Sequence, residues 1–236
     1  MRPSQTILND ESPLVEAKGF GWFLADQQRW LWRGINLSLH VGDRLSLAGH
    51  SGAGKTLLLR SMALLLPVTE GSVRWRGHEV PPTEYPRYRS QICYVPQRAV
   101  MIEGTVRDNL LLPFEFKCNA HRRPNEGYWE EWLTGFGRDA SFLRRSADEL
   151  SGGEAQIVAL LRVLQLEPEV LLVDEPTSDM DPESAIAAEG MIIAWSERHR
   201  GAFVWISHDQ RQAKRIANRR LQLQDGQLME EISHEG

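Results

Sequence analysis

An α/β fold built on a mostly parallel sheet is what this sequence predicts, and three observations predict it. A glycine-rich turn, Gly49-His50-Ser51-Gly52-Ala53-Gly54-Lys55-Thr56, stands between a strand-like run and a helical one. An unbroken apolar run, Val170-Leu171-Leu172-Val173, ends in the paired carboxylates Asp174 and Glu175. From Val170 onward, strand and helix patterns alternate as they do in a doubly wound sheet.

The elements follow in order. Residues 1–12 read as a polar tail with no signal-peptide apolar core. From Leu14 to about Arg76 come short strands, with turn signals at Gly42-Asp43 and Glu70-Gly71. Arg44-Leu45-Ser46-Leu47-Ala48 alternates toward an apolar strand, and Leu57 to Leu66 reads as a helix ended by Pro67. Pro81-Pro82 and Tyr85-Pro86 mark an exposed connection before a strand at Gln91–Val95. Residues from about 98 to 149 mix short amphipathic segments with Gly and Pro, which suits a helical lobe inserted in the core. Within it, Tyr128-Trp129-Glu130-Glu131-Trp132-Leu133 has helical spacing and its tryptophans are expected to pack the lobe. A helix is expected over Glu154–Leu166, closed by Pro168, and Leu221 to Leu228 reads as a closing hairpin. One domain over 13–236, with the lobe at about 98–149, is the expected organisation.

The motifs carry chemistry. Gly49–Thr56 fits G-x-x-x-x-G-K-[ST], the phosphate-binding P-loop. Glycines let successive N–H groups of Gly49, His50, Ser51, Gly52, Ala53 and Gly54 turn inward around a polyphosphate, and the following helix adds its N-terminal dipole. Lys55 then reaches the β- and γ-phosphates and Thr56 holds Mg²⁺. The apolar run before Asp174 suits a strand buried on both faces, whose C-terminal end is where open α/β sheets bind ligands. Asp174 suits the Mg²⁺ side and Glu175, one residue on, suits a general base for water. Leu150-Ser151-Gly152-Gly153-Glu154 opens a second helix with a glycine-rich N-terminus able to meet a phosphate.

P-loop, then Leu-Ser-Gly-Gly-Glu, then Leu-Leu-Val-Asp-Glu, in that order, resembles the ATP-binding cassette (ABC) family over about Leu14–Leu228. The resemblance implies a P-loop NTPase cassette with a RecA-like core, an N-terminal antiparallel β part and the inserted helical lobe. It implies ATP and Mg²⁺ as ligands. Gln97, in Tyr94-Val95-Pro96-Gln97, resembles the glutamine that touches Mg²⁺ and water. His208, in Ser207-His208-Asp209, resembles the histidine that contacts the γ-phosphate and orients the catalytic carboxylate. Ser178-Asp179-Met180-Asp181 resembles the loop that crosses between subunits, with Asp181 at its acidic position. Trp22 matches the adenine-stacking position, with Phe23, Trp30 and Trp32 close enough to compete for it. The sequence departs from the family at Leu57, where a second hydroxyl is usual, so that its backbone N–H alone meets the α-phosphate. It departs again at Ile157, after the signature glutamine Gln156, and at Asp179 and Met180.

Because P-loop and signature cannot easily face one γ-phosphate within one compact domain, the resemblance implies two copies head to tail. It also implies a separate transmembrane permease. Arg107–Phe114 and Leu161–Pro168 resemble the ATP-binding subunit of bacterial two-component iron exporters. A lipoprotein-release or efflux ATPase is the alternative, and a soluble cassette ATPase acting on ribosomes or DNA belongs to a different class.

Composition agrees with these expectations. The chain has 236 residues, 42% of them hydrophobic and 25% charged, and a formal net charge of −5. That balance gives no electrostatic footprint for nucleic acid. Its two cysteines, Cys93 in an expected strand and Cys118 in a separate loop, make no metal or disulfide framework. No apolar run reaches bilayer length, so a cytoplasmic protein is expected, peripheral on the inner face of the cell membrane through its permease.

Overall fold

The structure, a computed structural model, describes residues 12–231. The polar tail expected over 1–12 lies, apart from Ser12, outside the described residues.

The N-terminal part is an antiparallel sheet in the order β2-β1-β4-β5, from β1 (Val15–Leu24), β2 (Arg29–Leu39), β4 (Glu70–Trp75) and β5 (His78–Glu79). The strands expected to be short are long here: β1 runs 10 residues and β2 runs 11. Register shifts interrupt their pairing between Ala17 and Phe20 and again around Trp22. Bulges of this kind break the two-residue alternation by which a strand is read. Glu70-Gly71, expected as a turn, begins β4 instead. Gly71 sits at φ +91°, and a Cβ there would stand 2.5 Å from the Lys18 carbonyl oxygen. The glycine serves a close backbone approach at a bulge.

The second sheet runs β10-β9-β3-β8-β7-β6. Its members are β3 (Arg44–Ala48), β6 (Ile92–Val95), β7 (Val170–Asp174), β8 (Ala202–Ile206), β9 (Arg219–Gln224) and β10 (Gln227–Glu230). The pairings from β9 through β3, β8 and β7 to β6 are all parallel, and β10 closes the edge as an antiparallel hairpin on β9. Side-chain alternation divides β7 and β8 between two cores. Val170, Leu172, Ala202, Val204 and Ile206 join the antiparallel part and α1 (Lys55–Met62). Leu171, Val173, Phe203 and Trp205 join α3 (Val106–Leu111), α4 (Glu126–Gly135), α5 (Gly152–Leu164) and α6 (Pro182–His199). A strand covered on both faces has no polar positions to spare, hence the unbroken apolar run before Asp174.

Two shorter helices complete the chain, α2 (Tyr85–Arg89) and α7 (Gln210–Ile216). α1 stops at Met62, short of the expected Leu66, because Leu64 turns left-handed at φ +55°. The segment expected as a helical lobe holds α3 and α4, with 3₁₀ turns at Leu112–Glu115 between them and at Ala140–Arg144 after α4. Trp129 is fully buried, while Trp132 is half-buried and stacks on Tyr128 at 5.7 Å.

Candidate functional site

β3 ends at Ala48 between β8 and β9, and the chain turns at once through 49–54 into α1. Gly54 is the N-cap of α1 at φ +93°, and no side chain caps that end. Its first N–H groups are of the kind that can meet an anion. Glycine is required by crowding as well as by φ. A Cβ on Gly49 would lie 2.5 Å from the Leu223 carbonyl oxygen, and one on Gly54 would lie 2.5 Å from Nε1 of Trp32. Lys55 is buried beneath the loop and donates to the carbonyls of Gly49 (2.8 Å) and His50 (3.1 Å). Burial lowers its pKa, against the charges of Glu175 and Asp174, which raise it. His50 and Ser51 stay exposed, Gly52 turns at φ +81°, Ala53 is buried, and Thr56 and Leu57 are half-buried on the first turn of α1.

The adjacent strand ends of β6, β7 and β8 bring three predicted residues together around one carboxylate. Glu175 turns left-handed at φ +47° directly after β7. Its Oε2 accepts from Nε2 of Gln97 at 3.0 Å, and its Oε1 lies 2.9 Å from Nε2 of His208. With an oxygen held on either side, the carboxyl group is fixed in orientation and left able to take a proton from a neighbouring water. Asp174, 3% exposed, ends β7 one residue earlier. Its Oδ2 accepts from the Tyr94 hydroxyl at 2.9 Å, and that hydroxyl accepts from Nε of Arg60 at 3.2 Å.

The signature segment opens α5. Ser151 is the N-cap, in a reciprocal capping box with Glu154. Glu154 is also clamped by Arg145 at 2.6 Å and Arg138 at 3.5 Å. Gly152 and Gly153 lie under the loop before α6, where a Cβ on Gly153 would stand 2.7 Å from the Asp179 carbonyl oxygen. Gln156 donates to the Pro96 carbonyl at 2.9 Å, tying α5 to the segment that carries Gln97. Asp181 caps α6, accepting from the N–H (2.9 Å) and hydroxyl (2.7 Å) of Ser184. Both its oxygens are engaged within its own helix.

The competing aromatics separate. Trp32 is 1% exposed against Gly54 and has no face open to a base. Trp30 pairs edge-on with Phe23 at 5.2 Å, and Arg33 lies over it at 4.5 Å. Trp22 is half-buried, its ring centroid 6.0 Å from that of Trp32. Tyr94, Arg60, Arg138 and Arg145 also shape the site, and no motif in the sequence marks them, since each acts through a partner on another element. The one local signal was the position of Tyr94, three residues before Gln97.

The ABC transporter family model matches residues 32–178, which run from Trp32 beside the phosphate loop past Glu175. The chain belongs to the ABC transporter family. Its fold is the ABC cassette, and it is an ATP hydrolase of that family. The probable iron export ATP-binding protein FetA of Escherichia coli (strain K12) is 33% identical over 202 residues, covering 86% of this chain and 88% of that one. The phosphate import ATP-binding protein PstB 2 of Natronomonas pharaonis is 36% identical over 211 residues, with 83% and 72% covered. Among solved structures, a dimeric post-hydrolysis state of the ATP-binding cassette MJ0796 bound to ADP and Pi superposes with a TM-score of 0.79. That cassette is 26% identical, with 92% of this chain and 97% of that one covered. An ABC ATPase needs a phosphate cradle, hard oxygen donors for a cation and a base for water. The loop of 49–54, Thr56 with Asp174, and Glu175 are of those chemical kinds.

Proposed function

We propose that this chain is the ATP-hydrolysing subunit of a membrane exporter, acting as a pair of identical copies beneath a separate permease, with iron as the exported cargo. The observation that carries the ATPase half is the Gln97–Glu175–His208 arrangement beside the phosphate loop. Lys55 trades the carbonyls of Gly49 and His50 for the β- and γ-phosphates, and the uncapped start of α1 receives the remaining phosphate charge. Thr56 and Asp174 would hold Mg²⁺, with Gln97 at its edge. Bound there, Mg²⁺ supplies charge neutralisation between phosphate oxygens. Glu175 takes the proton of the attacking water, Gln97 and His208 keep its carboxylate aimed, and His208 also reaches the γ-phosphate. Trp22 carries the adenine ring.

The signature residues Ser151, Gly152, Gly153 and Glu154, with Asp181, serve the nucleotide of the opposite copy. Dimeric MJ0796 structures support this reading. ATP favours the closed pair and hydrolysis releases it, and the difference in affinity is the work delivered to the permease. Among the described residues no helix is long and apolar enough to cross a membrane, so the bilayer is reached through the partner, from the cytoplasmic side. Val100 (72% exposed), Ile102 and Phe116 leave an apolar surface after Gln97 that suits a short permease helix. The near full-length likeness to FetA supports iron export over the lipoprotein-release alternative. The test is co-purification with a multi-span membrane protein, followed by ATPase assay in proteoliposomes. Stimulation by Fe²⁺ is the expected result. Stimulation by phosphate or a lipoprotein instead would reassign the cargo, and absence of any membrane partner would overturn the reading.

A further inference from the structure

Asp174 does not end β7 as a free carboxylate. Its Oδ2 is occupied by the Tyr94 hydroxyl at 2.9 Å, while among the described residues no protein donor meets Oδ1. Tyr94 stands on β6, the strand paired to β7, with Tyr94 beside Leu172 in register and Val95 beside Val173. Its ring packs against the core shared with α1, so the hydroxyl arrives from a fixed direction. Arg60, on the helix that begins at Lys55, donates to the same hydroxyl at 3.2 Å, its guanidinium 5.6 Å from the ring centre. The lone pair thus engaged turns the phenolic proton toward Asp174.

We infer that Tyr94, braced by Arg60, is a positioning residue that holds one oxygen of Asp174 and so leaves the other as its single oxygen for the nucleotide-bound cation. This role rests on the assignment of Asp174 to the Mg²⁺ side. A metal-binding carboxylate whose second oxygen is tied down keeps one orientation, and loss of such an outer partner weakens metal binding by about 10- to 100-fold. The same three groups join the phosphate-loop helix, the strand before Gln97 and the strand before Glu175. One hydroxyl therefore sets the spacing between the phosphate cradle and the base.

The test is Tyr94→Phe in the Glu175→Gln background, which keeps the ring and removes only the hydroxyl. Mn²⁺ binding in the presence of ATP is followed by electron paramagnetic resonance, and ATP binding in EDTA by tryptophan fluorescence. Mn²⁺ affinity is expected to fall about tenfold while metal-free ATP binding and the melting temperature hold. Arg60→Gln is expected to shift Mn²⁺ affinity in the same direction and by less, and it serves if Tyr94→Phe does not fold. Unchanged Mn²⁺ affinity in the variants would overturn the inference. So would equal losses with and without metal, which mark a purely structural contact. Asp174→Asn separates the two levels. If it abolishes Mn²⁺ binding while Tyr94→Phe does nothing, only the role of Tyr94 fails; if it binds Mn²⁺ normally, the assignment of Asp174 fails and the inference falls with it.

Discussion

Under the proposed function Glu175 is the residue on which hydrolysis turns, and its setting separates it from its neighbour. Asp174 is buried and tied to Tyr94, whereas Glu175 leaves the strand through a left-handed turn and is met by Gln97 and His208. Replacing Glu175 by Gln preserves shape and removes the base. The expected outcome is a fall in kcat of about 10²- to 10⁴-fold with ATP affinity retained, checked by phosphate release and equilibrium nucleotide binding. The place of Glu175 at a strand end was legible in the sequence because a strand buried on both faces tolerates charge only where it emerges. Tyr94 was not legible, since a hydroxyl that holds a carboxylate 80 positions away leaves no local mark.

At the scale of elements, caps do much of the positioning. Asp181 holds the start of α6 through Ser184. Asp181→Ala is expected to lower stability, and Asp181→Asn to restore most of the loss, both read from denaturant unfolding. Activity lost in the Asn variant at full stability would then belong to the opposite copy's nucleotide. Glu154 gives a pH signature. Burial raises its pKa, but the Arg145 hydrogen bond and the Ser151 N–H outweigh it, leaving the group below its usual value. Its ionised form therefore stabilises the fold above the ordinary carboxylate range, and the gain is lost as pH falls from that range through the lowered pKa of the folded state. Glu154→Gln keeps the capping box but weakens the Arg clamps. It is expected to lower stability by about 1–2 kcal/mol at neutral pH. The difference should shrink as pH falls below the ordinary carboxylate range and close once the wild-type group is protonated in the folded state. Thermal melts across pH check this. Element types were readable wherever periodicity was unbroken, as in α5 and β7. Lengths were misjudged where bulges broke it in β1 and β2, and where Leu64 ended α1 early with no proline or glycine to announce the stop.

For the whole molecule, the phosphate loop and the signature helix leave their sheet at different strands and serve different nucleotides under the proposed function. ATP should therefore convert the Glu175→Gln protein from one copy to two, seen as a doubling of mass by light scattering. Ser151→Phe, which blocks the signature end, should prevent the doubling while leaving ATP binding to single copies intact. The overall architecture was legible because motif order names it. How the two sheets meet was not, since contacts such as Gly226 against Leu31 join opposite ends of the chain.

Those last contacts bear on how the protein is made. β3 is flanked by β8 and β9, so the strand that launches the phosphate loop has neither neighbour until more than two hundred residues have been translated. While it waits on the ribosome, the nascent chain can assemble its N-terminal antiparallel sheet but has no seat for a nucleotide. Competence for ATP should therefore arrive abruptly, as the last parallel strand clears the exit tunnel.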